Sequence, residues 1–446
     1  MDFEQRTYYL IGIGGIGMSS LAHYLLLQGH AVYGYDKTPS KITDQLSKKG
    51  VSIVFDASLA SVPENALSKN VSVIYTTAIP NTHPQLSYFQ KQGNQVMKRA
   101  VFLGKLCLNT KTLAVAGTHG KTTTSAILAH MFYKCKQSFS AFLGGIVNDY
   151  DTNFISTGTE FTIVEADEFD RSFLTLYPQI ASITSMDVDH LDIYHTKENL
   201  TAAFNLFSNQ VSGTLIHAFN LPLKGLTYAL ENKDADYSIT NIRLSSQGYL
   251  FDVNTPQGIF DSIRFKGFGD HNLQNALCAL AMADQAGLPF DACLESLASF
   301  PGVQRRMNIY PFGSHIFIDD YAHHPTEILA VLDTMIRFYP NQIKAVIFQP
   351  HLFSRTKDFM DDFAQVLSRF DRIMLLDIYP ARELPIAGVN AKTLLDRIEN
   401  DRKELIQKET LLNHIQKSDA GIFAILGAGD IGVEMHKIIN HFSTQL

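Results

Sequence analysis

TLAVAGTHGKTTTSA, residues 112–126, is the stretch on which the fold turns. An apolar run, TLAVA, leads into Gly117-Thr118-His119-Gly120, and Lys121 and three threonines then open a helical sequence. Glycines at these positions let the backbone curl until successive N–H groups point at one spot, and the helix behind them adds the positive end of its dipole. Such a turn cradles phosphate. Lys121 can neutralise charge on the outer phosphates, and the Thr122 hydroxyl can ligate Mg²⁺. The spacing is shorter than G-x-x-x-x-G-K-[ST], because Val115 stands where the first glycine would be. Strand, loop, Lys-Thr and helix still follow in order, which favours a phosphate site over a turn carrying a solvated lysine.

A second glycine loop lies about a hundred residues earlier. YYLIGIGGIGMSS, residues 8–20, places Gly12, Gly14 and Gly17 in the G-x-G-x-x-G pattern, and Asp36 follows at the end of the next apolar run. Alone, this reads as a dinucleotide-binding turn. A third glycine pattern, Gly427, Gly429 and Gly432 in GAGDIG, comes at the last apolar run of the chain and is expected to be a tight turn rather than a cofactor pocket.

Outward from these loops the chain alternates. Short apolar runs (AVYGYD, VSIVFD, VSVIYTTAIP, FTIVEADEFD, HIFIDDYAHHP, KAVIFQPHLFSR, DRIMLLDIYP, GIFAILGAGDIG) are separated by helical stretches such as HNLQNALCALAMADQAG and TEILAVLDTMIRFY. IASITSMDVDHLDIYH also reads as strand-like. This rhythm indicates mainly parallel sheets flanked by helices, with polar residues just past the strand ends, where open α/β sheets place ligands. The expected fold is α/β in three domains: a Rossmann-like domain over 1–108, a central P-loop ATPase domain over 109–300 and a Rossmann-like domain over 301–446. Three domains also suit 446 residues. SFPGVQRRM, with Pro301 and Gly302, reads as the last linker, and a hinge is expected over 296–306.

Composition excludes several classes. A net charge of −7 argues against a broad nucleic-acid or anionic-membrane surface. No apolar run approaches the length of a membrane span, and no secretory leader is seen, so a cytoplasmic protein is expected. Cys107, Cys135, Cys278 and Cys293 have neither metal nor disulfide spacing and read as incidental thiols in a reducing compartment.

GTHGKTTT, an acidic strand end in VEADEFDRSFL and a histidine in DHLDIY together resemble the Mur ligases, the ATP-dependent amino-acid-adding enzymes of peptidoglycan synthesis. GIGGIGMS, TTAIPNTHPQL, FPGVQRR, DDYAHHPTE, QPHLFSRT, LLDIYPARELPI and GAGDIG extend the resemblance from about residue 8 to about 435. It implies that an amino acid, L-alanine, is joined to a carboxylate of UDP-N-acetylmuramate, with ATP and Mg²⁺ as cofactors. Those two small molecules are the implied partners, with no nucleic acid or membrane involved, and the chain is expected as a monomer or weak homodimer. Gly117, Thr118, His119, Gly120, Lys121, Thr122 and Thr123, with Asn272, Arg306 and Asp320, would bind ATP. Thr122 and Glu165 would hold one Mg²⁺ and His190 a second. The first glycine loop would then grip the UDP diphosphate through Gly14, Gly15, Ile16 and Gly17, with Asp36 at the uridine and Thr76, Thr77 and Arg99 at the sugar side. His323, His351 and Arg355 would help bind the amino acid and the transition state, and Lys121, Glu165 and His190 complete the candidate catalytic set.

Several readings stay open in the sequence. His323, His324 and His351 could hold zinc, although no cysteine ligand accompanies them. Arg99 and the pair Arg305–Arg306 could be surface cations. Asp167, Glu168 and Asp170 read as a solvated or salt-bridged turn, and Asn275 as a solvated helix residue. Phe169 and Arg171 stand where relatives usually carry small residues, and Leu352 where many carry a second arginine. The rivals for function are a recycling ligase that adds a whole tripeptide, an NAD-dependent dehydrogenase that would leave GTHGKTTT unused, and a non-catalytic nucleotide sensor.

Overall fold

The computed structural model describes residues 6–187, 191–245, 247–381 and 383–444. It contains three sheets, one after another along the chain. The first runs through β1 (Thr7–Ile11), β2 (Ala31–Tyr35), β3 (Ser52–Val54), β4 (Ser72–Tyr75) and β5 (Gln95–Lys98), ordered β3-β2-β1-β4-β5. All its pairings are parallel. β1 is almost wholly buried because helices cover both faces of such a sheet, so its sequence is an unbroken apolar run. The order reverses between β1 and β4, so the glycine turn after β1 opens into the crevice where doubly wound sheets hold ligands.

The second sheet holds β6 (Lys111–Ala116), β7 (Phe139–Val147), β8 (Thr152–Ser156), β9 (Phe161–Ala166), β10 (Ile180–Ile183), β11 (Thr214–Ala218), β12 (Leu226–Leu230), β13 (Tyr237–Ser245), β14 (Gly248–Thr255) and β15 (Gly258–Phe265). Their order is β15-β14-β13-β12-β11-β10-β6-β9-β7-β8, with β6 between β9 and β10. The third holds β16 (Asn308–Phe312), β17 (His315–Asp320), β18 (Lys344–Phe348), β19 (Arg372–Leu375), β20 (Lys403–Leu405) and β21 (Ile422–Leu426), ordered β16-β17-β21-β18-β19-β20. The mainly parallel sheets also carry antiparallel pairs, β7–β8 and β16–β17 among them, each joined by a short turn that cannot make a parallel crossover. Among the described residues of IASITSMDVDHLDIYH, Ile180–Ile183 is strand and Leu191–Tyr194 is helix.

The chain forms two compact units. The first takes the chain up to Arg243 with Leu250–Phe265 and Gln274–Pro301; the second has Leu244–Tyr249, Lys266–Leu273 and everything from Gly302 on. Inside the first unit, one apolar core serves both sheets: Tyr8, Leu10, Met18 and Leu21 share a cluster with Phe142, Phe154, Phe173 and Phe207. Tyr24, on the first helix (Ile16–Leu27), joins the two halves, its ring 5.5 Å from Phe142 and 6.1 Å from Phe154. In the second unit, clusters line both faces of the third sheet, around Val346 and Phe348 on one side and Ile347 and Phe423 on the other.

Candidate active site

The loop after β6 lies between the ends of β9 and β10, the two strands that flank β6. Gly117 has φ +133°, and a Cβ there would overlap Thr184 Oγ1 and stand 2.9 Å from the backbone nitrogen of Ser185. Only glycine lets the loop pass this close to β10's end. Ser185 Oγ accepts from the His119 N–H at 2.8 Å and lies 2.9 Å from Thr118 Oγ1, which accepts from the Asp187 N–H at 3.1 Å. Gly120, at φ +83°, is the N-cap of the helix Lys121–Lys134, and its bare face rests against Asn275 Oδ1. The cradle is therefore held in shape from behind, through its side chains.

Lys121 Nζ donates to the carbonyl of Gly117 at 2.6 Å and to Glu168 Oε2 at 2.7 Å. Burial alone would lower the ammonium's pKa, but Glu168 and then Asp167 outweigh it and hold Lys121 above the ordinary lysine value. The lysine stays charged at any working pH. Beside it, Thr122 Oγ1 donates to Glu165 Oε1 at 2.7 Å, and Glu165 Oε2 accepts from the Gly144 N–H at 2.6 Å. A hydroxyl and a carboxylate oxygen in contact at the mouth of a phosphate loop are the hard donors that Mg²⁺ prefers, so these residues fit that ion. Thr123 is buried in the helix's first turn. His190 lies outside the described residues.

The first glycine loop is built in the same way. Gly14's N–H donates to Asp36 Oδ2 at 2.7 Å, and a Cβ at Gly14 would meet that same oxygen at 2.8 Å. A Cβ at Gly17 would stand 2.8 Å from an Arg99 guanidinium nitrogen, and one at Gly12 would stand 2.6 Å from Thr76 Cγ2. Gly15 caps the helix that begins at Ile16. Gly14 to Gly17, Asp36, Thr76 and Arg99 thus surround one turn; Thr77 follows Thr76 on the surface. Arg99 sits against the loop, not free in solvent.

The second unit carries the remaining candidates. Asp320 is buried, accepts the N–H groups of Met307 and Ala322 at 2.7 Å each, and is raised to about 6 by that burial, with Arg306 as the countercharge opposing the shift. Arg306's guanidinium stands 5.2 Å from the Tyr321 ring. Asn272 is buried and donates to the Phe268 carbonyl at 2.8 Å. His323 Nδ1 lies 2.9 Å from the Tyr321 carbonyl and 3.3 Å from Glu327 Oε2, and its ring is 6.1 Å from that of His351, which stacks on Tyr379. Arg355 is buried one turn further on. The zinc alternative finds no support: among the described residues no group of three His, Cys, Asp or Glu is placed to hold a metal. Leu352 adopts φ +71° with its N–H on the Tyr379 carbonyl, so its backbone shapes this corner although its side chain cannot anchor a carboxylate.

The structure decides one sequence reading and corrects two. Glu168, read as part of a solvated or salt-bridged turn, is salt-bridged and not solvated, wholly buried against Lys121. Asn275, set aside as solvated, is buried on Gly120 and accepts from Thr124 Oγ1 at 3.3 Å. The third glycine turn is filled by Arg305, which donates to the carbonyls of Gly427 and Gly429 and pairs with Asp319; it is no surface cation. Around Glu168 the unusual residues form a wall. Asp170 and Arg171 both take positive φ, Asp170 pairs with Lys98 at 3.2 Å, and the Arg171 guanidinium lies 5.6 Å from the Tyr194 ring. Tyr194 Oη in turn donates to the Glu168 carbonyl at 2.7 Å.

Comparisons with known proteins agree along the whole chain. Residues 7–111 match the Mur ligase family catalytic domain, residues 115–283 the Mur ligase middle domain and residues 305–429 the Mur ligase glutamate ligase domain. A UDP-N-acetylmuramate–L-alanine ligase of Flavobacterium psychrophilum is 50% identical over 436 residues, covering 97% of each chain. The crystal structure of the UDP-N-acetylmuramate–alanine ligase of Thermotoga maritima superposes with a TM-score of 0.84 at 25% identity, covering 99% of this chain and 100% of that one. A MurF ligase from the same organism, solved in complex with ADP, shares the fold at a TM-score of 0.62 and 14% identity, covering 93% and 96%.

Proposed function

The chain belongs to the Mur ligase family, and we propose that it joins L-alanine to the lactyl carboxylate of UDP-N-acetylmuramate, forming UDP-N-acetylmuramoyl-L-alanine, ADP and phosphate for peptidoglycan precursor synthesis. The observation that carries this reading is the presence, within one compact unit, of two glycine loops each finished by its own charged residues. Lys121, Thr122 and Glu165 complete the loop after β6; Asp36 and Arg99 complete the one after β1. A dehydrogenase would need only the first loop, and a sensor has no need of a hydroxyl and carboxylate set for a metal.

The chemistry explains why both are required. A carboxylate resists attack by an amine, because resonance already stabilises its charge. Transfer of the γ-phosphoryl group from ATP to a carboxylate oxygen gives an acyl phosphate; the amine nitrogen then adds to the carbonyl carbon and phosphate leaves with the oxygen. Gly117 to Thr123 would hold the ATP phosphates, with Lys121 balancing the charge that builds on the transferred group. Thr122 and Glu165 would hold one Mg²⁺ and His190 a second, and their charge would offset that of the phosphates. Gly14 to Gly17 and Arg99 would fix the UDP diphosphate, with Asp36, Thr76 and Thr77 on the nucleoside and sugar. Asn272, Arg306 and Asp320 would complete the ATP site, and His323, His351 and Arg355 the site for the amino acid and transition state. Arg355 suits a carboxylate, which its planar fork can grip with two hydrogen bonds.

The proposal includes domain limits of 1–108, 109–300 and 301–446, a monomer or weak homodimer, and a cytoplasmic location; no described helix is long and apolar enough to cross a membrane. The test is phosphate release from ATP and Mg²⁺ with UDP-N-acetylmuramate, adding L-alanine, L-serine, glycine or the tripeptide singly. Release that depends on both the UDP-sugar and L-alanine supports the reading. Turnover with the tripeptide alone makes this a recycling ligase, and none with any acceptor, despite nucleotide binding, makes it a sensor.

A further inference from the structure

Two loops that must bring a carboxylate to a phosphorus atom are carried on separate sheets, so their spacing depends on what joins the sheets. The segment that links β7 to β8 and begins β8, residues 148–153, is such a joint. Asn153 is buried, and its Nδ2 donates to the Ile16 carbonyl at 2.5 Å and to Ser19 Oγ at 3.0 Å, both in the first turn of the helix that leaves the first glycine loop. Two residues earlier, Asp151, held at φ +44°, takes Lys41 Nζ on one oxygen and Gln45 Nε2 on the other, each at 3.0 Å. Those two residues lie on the helix Lys41–Lys48, whose Thr43 backs Gly14.

The other side of the turn faces the ATP elements. Tyr150 Oη is 2.8 Å from Nδ1 of His130, on the helix that carries Lys121 and Thr122, and His130 Nε2 is 3.1 Å from Ser299 Oγ. Asn148 Nδ2 donates to the Pro301 carbonyl at 2.9 Å. β7 itself ties Glu165 through the Gly144 N–H. A second joint, Lys98 with Asp170 and Thr175 Oγ1 on the Ala100 carbonyl, links the same two halves elsewhere but touches neither glycine loop's own helix.

We propose that the 148–153 segment is a bracket setting the distance between the two phosphate loops, with Asn153 as the main positioning residue and Asp151 as a secondary one. The proposal rests on reading both loops as substrate sites. Its physical basis is that phosphoryl transfer needs the reacting atoms at about 3–3.5 Å, and a displacement of about 1 Å can cost about 10²-fold in rate. A bracket therefore governs kcat, while each loop still binds its own nucleotide.

Asn153→Ala should lower kcat for UDP-sugar- and alanine-dependent phosphate release by about tenfold or more, with the KM for ATP and the calorimetric Kd values of UDP and ADP, each measured alone, unchanged. Lys41→Glu and Asp151→Lys should each lower kcat by about two- to fivefold, the range of an exposed pair, and the double swap should restore it. Spin labels at Leu27→Cys and Lys134→Cys, in a Cys135→Ser background, give a readout free of turnover. The distance distribution should be narrow in the parent and broader with Asn153→Ala. Unchanged kcat and distance in Asn153→Ala overturn the bracket, as does a kcat loss matched by equal loss of UDP or ADP affinity. If Asn153→Ala fails to fold, the charge swap decides: no rescue overturns it. A parent without turnover that nevertheless shows the broadening removes the ligase reading and leaves the bracket standing.

Discussion

Breaking the Lys121–Glu168 pair should show how the phosphate loop keeps a charge buried without a ligand. Glu168 is fully inaccessible, Lys121 retains 14% side-chain exposure, and their atoms are 2.7 Å apart. At an effective dielectric of about 20, the attraction at this separation is about 6 kcal/mol, and desolvation of both ions offsets much of it. Removing one partner strands the other, at a cost of about 3–5 kcal/mol. Glu168→Gln and Lys121→Met should each destabilise the nucleotide-free protein by that amount in urea unfolding followed through the first unit. The double variant leaves no stranded charge, so it should cost less than the sum by about 2 kcal/mol or more. Glu168→Gln should also release Lys121 from an anion with which bound phosphate competes, so ATP affinity should fall less than stability does. A cycle in which the two losses simply add would refute the reasoning, because it would mean that the 2.7 Å contact contributes no coupling.

Three further outcomes follow from the same geometry. Gly117→Ala forces a side chain into the left-handed region and against the backbone of Ser185, a local penalty of about 2–5 kcal/mol; calorimetry should find ADP binding weakened by at least tenfold while the circular dichroism spectrum is retained. Glu165→Gln keeps the size of the side chain but removes the charge opposite Thr122, and phosphate release should drop by about 10²-fold or more, with a shift in the Mg²⁺ concentration needed for half-maximal rate. His130, buried between Tyr150 and Ser299, has its pKa lowered to about 4, chiefly by burial. The folded protein therefore binds fewer protons there than the unfolded chain, so stability rises with pH between about 4 and 6.5. His130→Gln should flatten that slope in urea midpoints measured across the window.

Much of this site could be read from the sequence because its parts are local. Lys121 and Thr122 follow the loop glycines directly, and Glu165 ends a strand whose neighbour is β6, so the strand–loop–helix grammar brings them together. The same grammar was silent on burial. Glu168 stands three residues past Glu165 in a run of acids, which as a string reads as solvent-facing; only the fold reveals Lys121 above it and Tyr194 beside it. Asn275 reads as solvated because a helix asparagine carries no mark of which face it presents, although its i+3 spacing from Asn272 places both on one side. Arg305 was undecidable for another reason. A glycine turn's shape is the same whether it receives a pyrophosphate or an arginine from its own chain, and the glycine pattern records the turn but not its occupant. Mainly parallel sheets leave room for an antiparallel pair, but the sequence does not locate β7–β8, since its short turn sits between apolar runs that parallel strands would share.

The core shared by the first two sheets has a consequence for how such enzymes can be recombined. Homology divides the chain into three successive segments, as if each were a portable module. Tyr24 with Phe142 and Phe154, and the continuous cluster from Tyr8 to Phe207, make the first two a single physical object. A chimera that exchanges the N-terminal segment alone would cut through this interior and leave both cut surfaces apolar. An exchange at Pro301 and Gly302 spares this interior but still divides the second unit, which also takes Leu244–Tyr249 and Lys266–Leu273. A chimera that keeps the core intact must therefore exchange the two nucleotide loops together.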